Sequence, residues 1–313
     1  MLRRAMTGTP IENHLGDLWS IFHFLNPTLL GSFKHFQLGY LRATEREQSS
    51  EQRTHLKKLI QPFLLRRSKD EVLRELPPIT TLRHEVRLSD DEALRYALLR
   101  RQINDKLRST QGQRDHKLQV LAEITRLRRF CCHPRLAFPD APTESSKLQV
   151  FLDLAEELHE NGHRALVFSQ FVDFLGLVRE QLDERKLSYL YLDGSTAKDA
   201  RQSRVKAFQT GDASLFLISL KAGGFGLNLT AADYVIHLDP WWNPAVEAQA
   251  TDRAHRIGQE RPVTVYRLVT KDTIEERIVE LHQEKRAIAE AVLDETANGS
   301  ELTSEALLSL LGN

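Results

Sequence analysis

Little in this chain could serve as a membrane anchor, a covalent staple or a phosphate cradle. Its apolar runs fall well short of the ~20 residues that span a bilayer as a helix, and its first residues carry no signal-peptide pattern. Cysteine is almost absent, with two residues that stand side by side at Cys131 and Cys132. Adjacent thiols cannot tie distant segments together, and with His133 they lack the spacing of a zinc ligand set. A packed or partly exposed thiol pair in a reducing, intracellular compartment is the expectation. No Gly-x-x-x-x-Gly-Lys-Ser/Thr occurs, so the loop that wraps β- and γ-phosphates in P-loop enzymes is not encoded here. Net charge is nil, from 43 basic and 43 acidic residues. Disorder is excluded too: 41% hydrophobic and 27% charged over 313 residues is a globular balance, enough for two modest domains or one large one.

The zero hides an uneven split. Residues 1–140 hold 25 Lys and Arg against 16 Asp and Glu, a net of +9; residues 141–313 hold 18 against 27, a net of −9. Such asymmetry suggests a half that faces nucleic acid. Arg114, Lys117, Arg126, Arg128 and Arg129 lie close together, as solvated helix faces or as a DNA contact.

Periodicity organises the rest. Residues 10–75 read as mostly helical, with Leu15, Leu18, Trp19, Phe22 and Leu25 as a core stripe. Thr9, Pro10 and Glu12 can begin a helix as cap, first residue and capping-box partner. Pro77-Pro78 breaks the chain, and Thr80–Leu88 alternates as a strand expected to be the last of a first lobe. Ser89 followed by Asp91 and Glu92 reads as a capped acidic first turn rather than a metal-binding box. Helices fill 89–130, and 138–146 reads as a linker. From about 145 short apolar strands alternate with helices: Ala165–Ser169, Tyr189–Leu192, Leu215–Ser219, Tyr234–Leu238 and Val263–Leu268. That alternation implies an α/β fold, a parallel sheet with helices on both faces. Ligands in such sheets sit outside the carboxyl ends of strands, where Ser169, Gly223 and the loop before Pro244 fall. A last amphipathic helix is expected over Thr273–Asp294, with Thr273 and Glu276 as its capping box.

Two stretches carry chemistry. Ser219-Leu220-Lys221-Ala222-Gly223-Gly224-Phe225-Gly226-Leu227-Asn228-Leu229 follows an apolar strand, and its glycines let backbone approach a ligand closely. Asp239-Pro240-Trp241-Trp242-Asn243-Pro244 opens a helix expected over Ala245–Arg256. On that helix Gln249, Arg253 and Arg256 stand at i, i+4 and i+7, one face with two guanidiniums and no carboxylate at the same spacing. Planar, permanent charge suits phosphate. Alone, the pattern fits a phosphate-facing helix and a solvated basic face equally.

The order of the pieces resolves more. Thr7-Gly8-Thr9-Pro10, then Leu166-Val167-Phe168-Ser169-Gln170-Phe171, Asp193-Gly194-Ser195-Thr196, the Gly-rich stretch and Asp252-Arg253-Ala254-His255-Arg256-Ile257-Gly258-Gln259 resemble the SWI/SNF family of helicase-like ATPases, in helicase superfamily 2. The likeness extends through Phe63–Lys69, Leu76-Pro77-Pro78 and Leu127–Pro134, and covers residues 1 to about 285. It implies that 145–270 is the second RecA-like lobe, preceded by 1–88 as the end of the first lobe with a helical insertion and by 89–144 as a helical protrusion and linker, and followed by 271–313 as a brace helix and tail. By this resemblance Arg253 and Arg256 are arginine fingers to ATP held on the other lobe, and Gln249 senses that nucleotide. Gly224, Gly226 and Asn228 would line the cleft near the ribose and phosphates. Ser219 and Lys221 would touch the DNA backbone; Ser169, Gln170, Ser195 and Thr196 would meet phosphate through hydroxyls and loop N–H groups. Thr7, Gly8 and Thr9 would couple nucleotide state to DNA, and one of Trp241 and Trp242 would lie near DNA while the other joins the core. His255 is expected to pack or bridge, with no proton transfer.

The implied activity is ATP hydrolysis, with Mg2+ held by the first lobe, driving translocation on double-stranded DNA and remodelling of DNA-bound protein complexes. Without a phosphate loop the chain reads as the C-terminal part of a larger enzyme or a truncated product, inactive alone. The alternatives are a non-catalytic duplex-binding or interaction module and an RNA helicase lobe; the latter commonly shows Gly-Arg-x-Gly-Arg where this chain has Asp252-Arg253-Ala254-His255-Arg256. Neither a membrane nor an obligate oligomer is inferred. Short helical insertions favour a prokaryotic cytoplasmic, nucleoid-associated enzyme, or a nuclear one if eukaryotic.

Overall fold

The computed structural model describes residues 3–6, 15–41, 49–65, 73, 75–110, 115–141, 144–222 and 227–281. They fall into two compact units, one from within Met1–Arg74, Asn243–Ala245 and Glu280–Thr303 and one from within Glu75–Trp242 and Val246–Val279. The first unit is helical. Helices α1 (Leu15–Leu25), α2 (Phe33–Phe36) and α3 (Ser49–Ile60) gather Leu18, Phe22, Leu30, Phe36, Leu56 and Ile60 into a small core. Two members of the expected stripe, Leu18 and Phe22, are buried, while Trp19 packs at the rim and donates its ring N–H to Gly31 O at 3.1 Å. The expected helix start at Thr9–Glu12 lies outside the described residues.

The second unit is a six-stranded, wholly parallel sheet in the order β1-β6-β5-β2-β4-β3. Its strands are β1 (Ile79–Val86), β2 (Ala165–Ser169), β3 (Tyr189–Leu192), β4 (Leu215–Ser219), β5 (Tyr234–His237) and β6 (Val263–Thr270). Period-two alternation divides the inner strands between two cores. Ala165 and Val167 of β2 face Phe151 and Leu152 of α6 (Ser146–Glu160) and Phe174 and Val178 of α7 (Val172–Glu184). Leu166 and Phe168 face the other way, toward Phe208 of α8 (Lys198–Thr210) and Ala250 of α9 (Pro244–Thr251). Each fully buried apolar side chain contributes about 1.5–3 kcal/mol, and central strands need such residues on both faces. That is why they read as unbroken apolar runs. The sheet is the α/β, RecA-like architecture expected from the alternation.

Three expectations change. The strand expected to close a first lobe joins this sheet instead, pairing with β6 from Ile79↔Val263 to Val86↔Thr270. Alternation reports a half-exposed strand but not which sheet it joins, and β1 is an edge strand exposed along all but Val86. The expected linker at 138–146 is anchored at two of its described residues: Ala141 and Ser145 are buried, and Ser145 caps α6 while donating to Cys132 O at 3.1 Å. The capping box at 273–276 is shifted by one residue. Thr273 Oγ1 accepts from the Glu275 N–H (3.2 Å) and Glu276 accepts from the Asp272 N–H (2.7 Å). The helix runs on through 274–281, and the rest of the expected span lies outside the described residues.

Helices α4 (Asp90–Ser109) and α5 (His116–Cys132) belong to the second unit. Ser89 and Glu92 form the full capping box of α4, as the acidic turn required. Cys131 and Cys132 are both buried, and burial pushes both thiols up from their ordinary range. They are packing groups. Beside them Lys147 and Glu275 form an ion pair at 2.6 Å, with both side chains under 2% exposed, which ties α6 to the start of the helix after β6.

Candidate functional site

The carboxyl ends of β2, β4 and β5 converge on one edge of the sheet, and Asp239 organises it. Asp239 is 1% exposed. It accepts the Ser169 hydroxyl and, at 3.4 Å, the Gln170 N–H. Arg128 of α5 stands 3.8 Å from it and donates Nη2 to Pro240 O at 2.6 Å. The same guanidinium lies over Phe171 (5.5 Å), Trp241 (5.6 Å) and Trp242 (5.0 Å). Burial pushes the Asp239 carboxyl up to about 6, against the pull of Arg128 and Ser169. Burial also pushes Arg128 down, against the pull of Asp239. Trp241 packs against the core under α8 and α9, and its N–H donates to Glu247 of α9 at 2.8 Å. The second oxygen of Glu247 takes Arg267 Nε at 2.9 Å.

The arginine stretch does not form the single helical face expected. Helix α9 ends at Thr251, so Gln249, Arg253 and Arg256 do not share one face. Tertiary bonds stop it: the Leu229 N–H takes Arg253 O (3.0 Å), and the Gln259 side-chain amide donates to Ala254 O, Thr230 O and Ala232 O at 3.0, 3.1 and 2.7 Å. Gly258, at φ 96°, supplies the left-handed residue that lets the chain turn back. Gln249 and Arg256 are exposed. Arg253 is 5% exposed, and its Nε and Nη1 are buried with no hydrogen-bond partner among the described residues. Burial pushes its guanidinium down to about 10, with Asp252 opposing and Arg201 adding to the shift, so it stays charged at neutral pH. His255 bridges as expected, its Nε2 donating to Pro77 O at 2.8 Å.

A second feature lies beside α8. A cavity of about 660 Å³ is lined by Thr196, Lys198, Arg201, Lys206 and Asn228, with Val205 and Leu227 between them. It brings together Thr196 and Asn228, which the sequence placed in different roles. Three cations on one wall suit an anionic ligand. Lys221 is exposed, at the tip of a turn that Ser219 closes by accepting the Ala222 N–H at 3.3 Å.

Four candidate DNA-contact residues hold their hydroxyls within the fold. Ser169 and Ser219 are 0% and 2% exposed. Ser195 Oγ and Thr196 Oγ1 both donate to Asp193 Oδ1, at 2.6 and 3.1 Å. Each hydroxyl has one proton, and it is spent inside the turn. That network, led by the Ser195 hydroxyl, holds the Asp193 carboxyl down at about 2. Gln170 is half-buried, with its side-chain N–H donors lacking a partner among the described residues. Trp241 is a packing residue at least in part. Arg128 is withdrawn from the set of basic residues considered for DNA contact, because its charge is spent inside. Thr7, Gly8, Thr9, Gly224 and Gly226 lie outside the described residues. Among the described residues no group of three or more His, Cys, Asp or Glu is gathered as metal ligands, and no helix is long and apolar enough to cross a membrane.

The sequence alone pointed to no role for Asp239, Glu247, Arg201 or Gln259, and for Arg128 only to a solvated face or a DNA contact. The signal for Asp239 and Arg128 was an aspartate and a proline before two tryptophans, and an arginine in the apolar-rich end of a helix at Leu127–Cys132. Gln259 was visible only as the tail of a motif.

The SNF2-related domain family matches residues 2–136, and the helicase conserved C-terminal domain matches residues 146–258. An uncharacterized ATP-dependent helicase of Mycoplasma genitalium is 38% identical over 309 residues, covering 98% of this chain and 29% of its own. The human SWI/SNF-related matrix-associated actin-dependent regulator of chromatin subfamily A member 1 is 35% identical over 327 residues, covering 99% and 31%. The Sulfolobus solfataricus SWI2/SNF2 ATPase core in complex with dsDNA aligns at TM-score 0.62 and 32% identity, over 98% of this chain and 66% of that one. The C-terminal domain of a Sulfolobus solfataricus SWI2/SNF2 ATPase aligns at TM-score 0.59 and 28% identity, over 75% and 98%. The chain thus spans about a third of the length of the curated relatives it matches.

Proposed function

The chain belongs to the SWI/SNF family of helicase-like ATPases, and from that premise we propose that it is the arginine-bearing part of a double-stranded-DNA-dependent ATPase that moves along duplex and remodels or displaces proteins bound there. The observation that carries this reading is Arg253. A guanidinium 5% exposed, with two nitrogens unpartnered, is costly to fold around unless an anion completes it. A triphosphate held by a lobe with a phosphate loop is the anion this site fits. Arg253 meets the transferring phosphate from within, Arg256 from the rim, and Gln249 stands near the end of α9 before them. Gly224, Gly226 and Asn228 border the nucleotide, whose Mg2+ is held by that other lobe.

Hydrolysis removes the phosphate that Arg253 holds, and the closed state loses its cross-link. DNA is gripped by charge: Lys221 and the cations beside Thr196 meet the backbone, with Ser195 and Gln170 as further contacts. Ser169 and Ser219 shape those loops from below. Thr7, Gly8 and Thr9 couple the two ligands. Backbone contact gives weak sequence preference and strong salt dependence. Repeated closing and opening becomes stepping along the duplex. Such a substrate places the protein at the nucleoid of a prokaryotic cell or in a eukaryotic nucleus.

The test joins this chain to a lobe bearing a phosphate loop and measures DNA-stimulated hydrolysis. Arg253→Ala should lower turnover by about 10³-fold or more and leave duplex affinity near the parental value. Near-normal turnover in that variant would remove Arg253 from the reaction. The chain alone should not hydrolyse ATP.

A further inference from the structure

We propose that Arg128, on α5 and far in sequence from the arginine stretch, is a positioning residue: it fixes the loop at 239–242 and, through Trp241 and Glu247, the placement of α9 and the Arg253 turn. Its guanidinium touches both loops that leave the central strands, Phe171 after β2 and Pro240, Trp241 and Trp242 after β5. Asp239, 3.8 Å away, ties the same two loops through Ser169 and the Gln170 N–H. From there the path is short. The Trp241 N–H donates to Glu247 at 2.8 Å, Glu247 is 0% exposed, and Glu247 sits two residues before Gln249 and six before Arg253 on one continuous stretch of chain. A flat guanidinium can lie against rings while donating in its own plane, which an ammonium cannot do.

The inference rests on the proposed role of Arg253, so its test has one arm that needs no turnover. With Trp19→Phe as background, Trp241 and Trp242 are the two remaining of three tryptophans. Arg128→Lys keeps the charge and gives up the planar contact. In the 313-residue chain it should red-shift the emission of these two and open them to acrylamide quenching. In the protein joined to a phosphate-loop lobe it should lower kcat about 10-fold, with KM for ATP and duplex affinity within about two-fold. Parental emission and quenching, or parental kcat, would overturn the proposal. A lowered melting temperature with emission and kcat unchanged would make Arg128 merely structural, which also overturns it. Should Arg128→Lys not fold, Trp242→Leu removes the nearest ring and keeps the guanidinium, and the same loss of kcat is expected; parental kcat there counts against the idea. If the parent protein shows no turnover, the functional reading fails on its own, and the fluorescence arm still decides whether Arg128 holds the loop.

Discussion

Arg128 and Arg253 are nearly equally hidden, at 2% and 5% exposed, and burial pushes both guanidiniums below their ordinary value. Their surroundings differ. Around Arg128 stand a carbonyl, a carboxylate and three aromatic rings. Around Arg253 two nitrogens have no hydrogen-bond partner among the described residues. Arg128 Nε also lacks a hydrogen-bond partner among the described residues, so the first arginine is the more nearly finished interaction and the second the more open one. A fold keeps an open buried charge when something outside the chain completes it, since stability alone would favour its loss. The difference separates a group that builds the site from one that acts in it.

The comparison can be broken by stability measurements on four variants. The largest effect is expected for Arg128→Met, which strands Asp239 in a buried setting and should cost about 3–5 kcal/mol in denaturant unfolding; a loss under about 1 kcal/mol would show that Asp239 does not depend on it. Asp239→Asn comes next and shows in pH dependence. The folded value of about 6 lies above the ordinary 3.8, so the folded state holds this proton more tightly. The stabilising contribution is full below about pH 4 and is lost as pH rises through about 6. The stability difference between parent and Asp239→Asn should therefore change across that window, and a constant difference would contradict the assignment. Arg253→Met should leave stability unchanged or raise it by up to about 1 kcal/mol, although it is as buried as Arg128; a large loss would mean the guanidinium has a structural partner. Arg256→Ala should stay within about 0.5 kcal/mol by thermal or chemical unfolding, because Arg256 is exposed.

Much of the sheet was readable before any coordinates. Ala165–Ser169 and Leu215–Ser219 are strands at the residues where apolar runs begin and end, because inner strands of a parallel sheet need apolar groups on both faces; Tyr189–Leu192 is the edge strand beside them, partly buried along most of its length. The acidic turn at Ser89–Glu92 was legible for a local reason, a cap and its partner three residues on. What failed to show was decided at a distance. Nothing near Thr251 marks a helix stop; Leu229 and Gln259 end it by taking the carbonyls of Arg253 and Ala254. Ser195 and Thr196 look available in a turn sequence, and Asp193 Oδ1 already accepts a hydrogen bond from each hydroxyl. Of the candidate site, the exposed positions Gln249, Arg256, Lys221 and Asn228 stand where a ligand can reach them, and the buried serines do not.

The pairing of β1 with β6 has a consequence for synthesis. A ribosome releases Ile79–Val86 long before it makes Val263–Thr270, so the first strand of the sheet waits for the last. The nascent domain must assemble from its middle outward, under the slow kinetics of contacts far apart in the chain. Until β6 emerges, the free side of β5 is an unclosed edge on which a neighbouring polypeptide can pair, and the interval between the synthesis of β5 and of β6 is when this protein most needs shielding.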